Sequence, residues 1–392
     1  MRWPKPTTST STNPTDARVT DPAVPPPGRC YVVGGCVRDA LLGRPVVDRD
    51  WVVTDSSPQA MVNAGFRPVG RDFPVFLHPL THEEYALART ERKSAPGYRG
   101  FTFHTDPQVT LEQDLARRDL TINAIAQADD GRLIDPFGGQ RDLAARLLRH
   151  VSPAFAEDPV RLLRVARFAA RFAGFVVAPE TQALLKKLVD DGEVDALVPE
   201  RVWQEIARGL IEGQPSRMLQ VLNDCGALKR LLPGVDADRE LPDVLDLAAQ
   251  LQAPLPVRWA CIASSAAGLG AQLRPPADCA ELATIFNREV AALHASATLD
   301  AAGTVQLLER CDAIRRPQRL ADLLLACECD ARGRGLVDGD YAPRQRLAAA
   351  LQRALSVDTA GIALDAASRG LAGPAIGEAV RQARIAAVAG RP

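Results

Sequence analysis

Two carboxylates separated by a single residue, Asp48 and Asp50, stand at the start of an apolar segment with the pattern of a strand. Side chains at positions i and i+2 of a strand point to the same face of the sheet, so both acids can reach the same divalent cations. Two such ions, about 3.5 to 4 Å apart, can activate an attacking hydroxyl and neutralise a leaving pyrophosphate. A D-x-D pair is also a common exposed entry to a strand, and the pair alone leaves both interpretations open.

Two glycines upstream of these acids connect another apolar strand to a helix. Gly34 and Gly35 precede a helix that contains Arg38. Such a turn can bring backbone N–H groups and a helix amino terminus against phosphate oxygens, with the arginine adding charge. Paired glycines are more often a plain tight turn. Followed by the D-x-D strand, however, they supply a triphosphate cradle beside a metal site, and this combination favours nucleotidyl transfer.

A third candidate element is a helix with charged residues at steps of three or four. At about 100° per residue these charges stay on one half of the helix, while apolar residues cover the other half. Cytosine and adenine each present an amino donor beside a ring-nitrogen acceptor, so Asp158 with Arg161 can read both bases and refuse uracil and guanine. Alternatively, Asp158 before Pro159 is an ordinary N-cap and the arginines form a solvated face. The charged residues are Asp158, Arg161, Arg164, Arg167 and Arg171.

These elements resemble the head of the polymerase β-type nucleotidyltransferases, through G-G-C-V-R-D at 34–39 followed by Asp48-x-Asp50. The later motifs resemble those of the class II (bacterial-type) CCA-adding tRNA nucleotidyltransferases and of their close relatives, the bacterial poly(A) polymerases. The resemblance runs in family order from Tyr31 to about Leu210 and resumes more weakly near the carboxyl end. The later motifs are R-R-D-L-T-I-N-A at 117–124, D-P-F at 135–137, E-D-P-V-R-L-L-R at 157–164, P-Q-R at 317–319 and D-A-R-G-R at 330–334.

The resemblance implies a role for each motif. Asp48 and Asp50 would be the catalytic Mg²⁺ ligands. Gly35 and Arg38 would hold the triphosphate, and Arg118, with the helix that carries Asp119 and Asn123, would contact sugar and phosphate. The remaining nucleotide-binding residues would be Asp158, Arg161, Arg164 and Arg167.

The implied activity is template-independent addition or repair of the CCA end of tRNA from CTP and ATP, with no DNA or membrane partner. Poly(A) polymerase is the nearest alternative, but those enzymes commonly carry a basic carboxyl-terminal extension, and this chain ends in an Ala-rich segment with scattered arginines. A catalytically silent RNA-binding module is an alternative of a different class, against which the intact D-x-D pair argues. The oligomeric state is left open.

The fold class that follows is α+β, with a nucleotidyltransferase α/β head followed by an all-helical neck, body and tail. We predict a disordered extension at 1–28, the head at 29–150, the neck at 151–230, and the body and tail at 231–392. Strands are predicted at 31–33, 50–54, 75–77, 85–90 and 132–134, and helices at 37–42, 58–63 and 111–126. Thr110 and Gln113 form the pattern of a capping box at the start of the last of these helices. Strand signals cease after Pro153, and helices broken by Gly and Pro follow.

Two features near the head have alternative interpretations. The segment 93–105, K-S-A-P-G-Y-R-G-F-T-F-H-T, is either a mobile loop that closes over substrate or a plain surface loop. Arg89 and Glu91 lie in phase on the preceding strand, where Glu91 is either a third metal-site carboxylate or part of a structural ion pair.

Composition excludes several classes of protein. With 392 residues, 46% hydrophobic and 24% charged, the chain has ordinary globular values. A formal net charge of −1 argues against a strongly cationic, sequence-blind nucleic-acid binder. The eight scattered cysteines predict reduced thiols. The amino-terminal segment has no apolar centre of a signal peptide and no run approaches the length of a membrane span, so we expect a cytoplasmic protein.

Some members of the family carry a metal-dependent phosphohydrolase domain with histidine and aspartate ligands. This chain has five histidines, and one of them, His294, lies beyond residue 150. Ser264 and Ser265 stand where such a domain would place its His-Asp pair, and serine is a poor ligand for transition-metal ions. We therefore predict a degenerate helical body without phosphohydrolase activity, kept for packing or tRNA contact.

Overall fold

The computed structural model describes residues 24–46, 48–69, 75–93, 101–237, 240–266 and 268–390. Three predictions fall wholly or partly outside these residues: the disordered extension, the loop at 93–105, and the role of the Glu91 side chain.

The strands are β1 Arg29–Val33, β2 Asp50–Thr54, β3 Arg67–Val69, β4 Val75–Leu77, β5 Glu84–Leu87, β6 Thr90–Lys93, β7 Phe101–His104, β8 Ala126–Ala128, β9 Leu133–Ile134, β10 Leu147–Leu148 and β11 Val176–Val177.

Helices account for most of the remaining described residues. The α-helices are α1 Gly35–Leu41, α2 Pro58–Asn63, α3 Leu111–Ala116, α4 Gly139–Ala145, α5 Val160–Arg171, α6 Pro179–Asp190, α7 Pro199–Leu210, α8 Ser216–Asp224, α9 Ala227–Leu231, α10 Leu241–Gln250, α11 Leu255–Ala263, α12 Leu269–Leu273, α13 Ala277–His294, α14 Ala301–Arg310, α15 Pro317–Gly333, α16 Ala342–Leu355, α17 Thr359–Ser368 and α18 Pro374–Val388. Short 3-10 helices are found at Thr121–Asn123, Pro153–Glu157, Glu193–Ala196 and Ala295–Thr298.

The described residues form two compact units. The head unit falls within Met1–Arg161 and Gly174–Leu188, and the helical unit within Leu162–Ala173 and Val189–Pro392. The unit boundary divides the residues predicted as a neck, and the four predicted segments stay predictions.

The main sheet of the head unit has the order β3-β4-β5-β2-β1-β8-β9 within the described residues. Strand β1 is antiparallel to β2 and β8, whereas β2 is parallel to β5. Alternate residues of β2 pack on opposite faces: Val52 joins a cluster with Val33 and Leu115, and Trp51 stacks on Tyr85 with ring centroids 5.2 Å apart. Both faces of the central strands are therefore covered, which leaves the strand ends as the accessible part of the sheet.

The predicted helix at 111–126 is wrong in length. Helix α3 begins with the predicted capping box, in which the Gln113 N–H donates to the Thr110 hydroxyl, but it ends at Ala116. The chain then turns, because the Asp119 carboxylate accepts the N–H of Leu120 at 2.8 Å and so competes with helical hydrogen bonding. The last residue of the prediction, Ala126, begins β8, which pairs with β1.

Two predictions about strands are also wrong in detail. The predicted strand at 85–90 is divided into β5 and β6, which belong to different sheets. Strand signals were expected to cease after Pro153, yet Val176–Val177 forms β11 and pairs in parallel with β10. A two-residue strand is too short to show a periodic pattern, so its pairing comes from tertiary contacts.

In the helical unit, α10, α11, α13 and α15 pack against one another. Trp259 on α11 and Phe286 on α13 are fully buried in this core. Arg258 is also buried, and its guanidinium donates to the carbonyls of Leu210 and Ala253 at 2.7 Å each. The predicted helical body is thus confirmed as a packed helical array. No helix among the described residues is long and apolar enough to cross a membrane.

Candidate active site

The two predicted metal ligands lie where β2 begins. In the sheet register Asp50 stands opposite Val33 of β1 on one side and opposite Glu84 of β5 on the other. Both Asp48 and Asp50 are exposed. They line a cleft of about 690 Å³ whose walls are Val46, Asp48, Arg49, Asp50, Thr81, His82, Glu83 and Glu84.

The donor set of this cleft fits a hard divalent cation. Within the described residues, neither Asp48 nor Asp50 has a hydrogen bond or ion pair that would occupy its oxygens, and carboxylate oxygens are the ligands that Mg²⁺ prefers. The described residues contain no group of three or more histidine, cysteine, aspartate or glutamate side chains that could hold a metal ion. A pair of carboxylates suits Mg²⁺, which usually takes its remaining ligands from substrate phosphates and water.

The glycine turn lies on the β1 side of these carboxylates. Gly34 has φ 77° and ψ −130°, a conformation open almost only to glycine. A Cβ atom at Gly34 would lie 2.8 Å from Nη1 of Arg118. The backbone conformation thus requires glycine, and a methyl group here would displace the Arg118 guanidinium. The structure therefore places Gly34, the adjacent Gly35 and Arg118 together, next to the strand that faces Asp50.

Arg118 is held by a buried carboxylate. Asp114 on α3 is fully buried, accepts from Arg117 Nη2 at 2.6 Å, and lies 3.3 Å from Arg118 Nη2. Burial raises the pKa of Asp114, but the adjacent charges of Arg117 and Arg118 outweigh it and hold that pKa below its usual range. Asp114 is therefore an anion that fixes the Arg118 guanidinium against the glycine turn. Sequence reasoning missed Asp114, although its spacing of three and four residues from the two arginines is a helical ion-pair signal.

Arg38 is buried beside the glycine turn, where a Cβ atom at Gly35 would lie 3.4 Å from its Nη2. It is only 4% exposed, and its guanidinium donates to the Asn123 side-chain oxygen at 2.5 Å and to the Asp39 carboxylate at 2.9 Å. The Asn123 amide in turn donates to Asp119 at 2.9 Å. These contacts tie α1 to the 3-10 helix that carries Asn123. The triphosphate role of Arg38 stays a prediction, and its burial favours action through Asn123 rather than by direct contact.

Asp158 and Arg161 lie at the start of α5 in the head unit. The Val160 N–H donates to the Asp158 carboxylate at 3.2 Å, so Asp158 does cap the helix. Arg161 is 8% exposed and donates to the Ala154 carbonyl at 2.7 Å. The capping interpretation and the base-reading interpretation are compatible, because a carboxylate has several acceptor sites and a guanidinium has five donors.

Arg164 and Arg167 continue along α5 within the helical unit, near an acidic residue that sequence reasoning missed. Glu205 on α7 is buried, and its carboxylate lies 2.7 Å from Arg167 Nε and 4.0 Å from Arg164 Nη1. Burial lowers the pKa of Arg167, and the charge of Glu205 opposes this effect. Arg167 also lies over the Phe168 ring, 4.7 Å from its centroid. Arg167 is therefore constrained by its surroundings, whereas the Arg164 side chain is 35% exposed.

The segment that would hold histidine and aspartate ligands in a phosphohydrolase lies at the end of α11. The Ser264 hydroxyl donates to the Cys261 carbonyl at 2.8 Å, and the Ser265 hydroxyl donates to the Ile262 carbonyl at 2.7 Å. Both serines thus bond to their own helix.

Two family models match parts of the chain. Residues 30–149 match the family model described as the poly(A) polymerase head domain, and residues 174–239 match the one described as a probable RNA and SrmB-binding site of polymerase A. The CCA-adding enzyme of Bacillus stearothermophilus in complex with CTP has a TM-score of 0.67 at 24% identity, covering 92% of this chain and 89% of that one. A Thermotoga maritima CCA-adding enzyme complexed with tRNA has a TM-score of 0.65 at 22% identity, covering 93% and 88%. The predicted fold class, a polymerase β-type nucleotidyltransferase head followed by helices, is confirmed.

Relatives found by sequence identify the family of the chain, whereas the solved structures above show its fold. The multifunctional CCA protein of Leptothrix cholodnii is 55% identical, covering 93% of this chain and 97% of its own length. That of Verminephrobacter eiseniae is 57% identical, covering 92% and 98%. The chain therefore belongs to the family of CCA-adding tRNA nucleotidyltransferases, which confirms the family and the class of enzyme predicted from the sequence. Members of this family are divalent-metal nucleotidyltransferases.

Proposed function

We propose that the chain adds or repairs the 3′-terminal CCA of tRNA, using CTP and ATP, by nucleotidyl transfer that depends on Mg²⁺. The observation that carries the proposal is the position of Asp50, which lies between the strand of the Gly34–Gly35 turn and the strand that borders the acidic cleft. The carboxylates proposed to bind metal and the turn proposed to bind phosphate are thus neighbours. Relatives named CCA proteins, and CCA-adding enzymes solved with CTP, ATP and tRNA, support this reaction and these substrates.

In this mechanism Asp48 and Asp50 hold Mg²⁺. When bound, the metal would supply Lewis-acid chemistry, lowering the pKa of the primer 3′ hydroxyl and offsetting charge on the transferred phosphate and the leaving pyrophosphate. Gly34 and Gly35 let the backbone approach the triphosphate, and Arg118 supplies positive charge beside them, fixed by Asp114. Arg38 positions this region through Asn123.

Base choice is assigned to the start of α5. Asp158 accepts the amino hydrogens of cytosine or adenine, and Arg161 donates to the ring acceptor. Uracil and guanine would leave these groups unpaired, at a cost of about 1 to 3 kcal/mol each. Arg164 and Arg167 add charge for the nucleotide, and Glu205 sets their positions. We expect the enzyme to work in the cytoplasm, as predicted from the sequence.

The test is incubation of the protein with tRNA that lacks CCA, with CTP or ATP supplied singly and together, in the presence of Mg²⁺. Incorporation of CMP followed by a single AMP supports the proposal. Incorporation of AMP alone in long runs would instead identify a poly(A) polymerase. No incorporation with any nucleotide, with tRNA binding retained, would revive the silent RNA-binding module.

A further inference from the structure

His78 is a fully buried histidine of the head unit, directly after β4. Its ring Nδ1 lies 3.0 Å from the Thr81 N–H nitrogen and 3.3 Å from that of Leu80, and its Nε2 lies 3.0 Å from the Val24 carbonyl oxygen. Two N–H groups directed at Nδ1 require a lone pair there, so the proton is on Nε2 and is donated to Val24. The imidazole is therefore neutral, and both of its nitrogens are used.

The ring holds a tight turn that connects β4 to β5. The backbone of this turn is closed by hydrogen bonds from the His78 N–H to the Glu83 carbonyl at 3.0 Å and from the His82 N–H to the His78 carbonyl at 3.1 Å. His82 has φ 60°, a left-handed conformation that a residue other than glycine keeps only when its surroundings impose it. The His78 ring supplies such a constraint by accepting the N–H groups of Leu80 and Thr81.

The turn forms one wall of the acidic cleft. Thr81 and His82 line the cleft beside Asp48 and Asp50, whereas His78 lies behind the wall and does not line it. This wall belongs to the β5 side of β2, and the Gly34–Gly35 turn belongs to the β1 side. In-line displacement places the attacking and leaving oxygens on opposite sides of the phosphorus. If the pyrophosphate leaves toward the glycine turn, the RNA 3′ hydroxyl attacks from the side of this wall.

We propose that His78 is a positioning residue for nucleotidyl transfer. Its neutral imidazole ties the chain at Val24 to the β4–β5 turn, and it thereby holds the cleft wall that receives the 3′ end of the RNA. The proposal rests on the proposed function for its effect on catalysis. The hydrogen bonds that carry it are independent of that function.

Two amide variants separate the two ring nitrogens. In His78→Asn the side-chain oxygen is near the position of Nδ1 and can still accept from the turn, whereas in His78→Gln the amide nitrogen is near the position of Nε2 and keeps only the bond to Val24. We expect H78N to stay within about threefold of wild-type kcat and H78Q to lose about tenfold or more, with the KM for CTP changed by less than about twofold in both. The matched control is His150→Gln, which removes a half-buried histidine of the same unit that bonds to Thr181 and should leave kcat unaltered.

Hydrogen exchange of the turn amides gives a readout that needs no catalysis. Residues 80–83 should exchange faster in H78Q than in H78N at temperatures where both variants are folded. Equal kcat losses, a greater loss in H78N, or losses that follow only the melting temperatures would overturn the proposal. If the wild type incorporates nothing while the exchange difference is present, the proposed function fails and the structural role of His78 stands. Equal exchange in the two variants overturns that structural role whatever the activity.

Discussion

Glu205 on α7 lies 2.7 Å from the Arg167 guanidinium on α5 while being only 5% exposed. This buried carboxylate pairs closely with Arg167 and lies 4.0 Å from Arg164, whose side chain is 35% exposed, so the constraint falls mainly on Arg167. The structure thus gives Arg167 a defined geometry, and this geometry is open to experiment.

Glu205→Gln should destabilise the helical unit and raise the KM for CTP. The amide keeps the shape of the side chain but removes the charge that offsets the arginines, and breaking a buried pair costs about 3 to 5 kcal/mol. Thermal melts and incorporation kinetics measure the two effects. The matched control is Glu200→Gln on the same helix, whose carboxylate is 61% exposed and pairs with an exposed Arg274, and it should alter neither quantity. Equal melting temperatures and equal KM values for CTP in the two variants would show that Glu205 does not position the arginines.

Asp48→Asn or Asp50→Asn should abolish incorporation and leave the fold and the tRNA affinity near normal. Both carboxylates are exposed at the cleft, so neither supports the core, and the charge removed is the one that holds the metal. Single-turnover incorporation, tRNA binding and melting curves check this expectation. Retention of more than about a tenth of wild-type turnover, a barrier change below about 1.4 kcal/mol, would contradict the metal-site assignment.

Asp158→Ala should relax discrimination against UTP and GTP as well as slow correct addition. The variant removes the acceptor for the amino group and also the element that repels a carbonyl. The variant also removes a helix cap, because the Val160 N–H donates to this carboxylate. We therefore expect the free energy of unfolding to fall by about 0.5 to 2 kcal/mol whether or not Asp158 reads the base. The decisive measurement is therefore the ratio of CTP to UTP use. A lowered melting temperature with an unaltered ratio would leave Asp158 as a cap alone.

Gly34→Ala should reduce incorporation at least tenfold. The added methyl group would lie 2.8 Å from Arg118 Nη1, and φ 77° is unfavourable for alanine. Gly43→Ala is the control. Gly43 also has a positive φ of 65°, but a Cβ atom at Gly43 would have no atom of the described residues within 4 Å. Both variants should lose some stability in thermal melts, and only G34A should lose activity. Similar activities in the two variants would show that the contact with Arg118 is not needed.

The protein should neither hydrolyse 2′,3′-cyclic nucleotides to monophosphates nor release phosphate from nucleoside monophosphates with Mg²⁺, Mn²⁺, Ni²⁺ or Co²⁺. Ser264 and Ser265 bond to helix carbonyls and offer no strong ligand to a transition metal. Incorporation of CMP by the same preparation shows that the protein is active. Robust metal-dependent hydrolysis of either substrate would show that the protein holds metal ligands other than these two serines.

The positions of short sequence patterns are predicted well here. The D-x-D pair stands at the entry to β2 and the glycine turn connects β1 to α1, and the register of β1 and β2 brings the two patterns together as expected. The capping box at Thr110 is equally local and is confirmed. The length of α3 was wrong because Asp119 forms a local bond that ends the helix, and such competition is invisible to apolar periodicity.

Partners distant in sequence account for what the sequence did not reveal. The burial of Arg38 follows from Asn123, 85 residues away, and no spacing rule connects the two. Glu205 approaches α5 from another helix, and its own surroundings in the sequence resemble an ordinary amphipathic helix. His78 also depends on a partner distant in sequence, because its hydrogen bond to Val24 spans 54 residues. Positioning residues of this kind become visible only when the fold is known.

The register of β1 has a consequence for how the protein folds during its synthesis. Val33 pairs with Asp50 on one side and with Ala126 on the other, and the Gly34 N–H donates to the Ile125 carbonyl at 3.2 Å. A nascent chain that has emerged only as far as β5 can pair β1 with β2, but the opposite edge of β1 stays open until β8 leaves the ribosome. An open strand edge is a template for aggregation. The glycine turn is therefore completed late in the synthesis of the head, and a ribosomal pause before β8 should favour aggregation more than a pause after it.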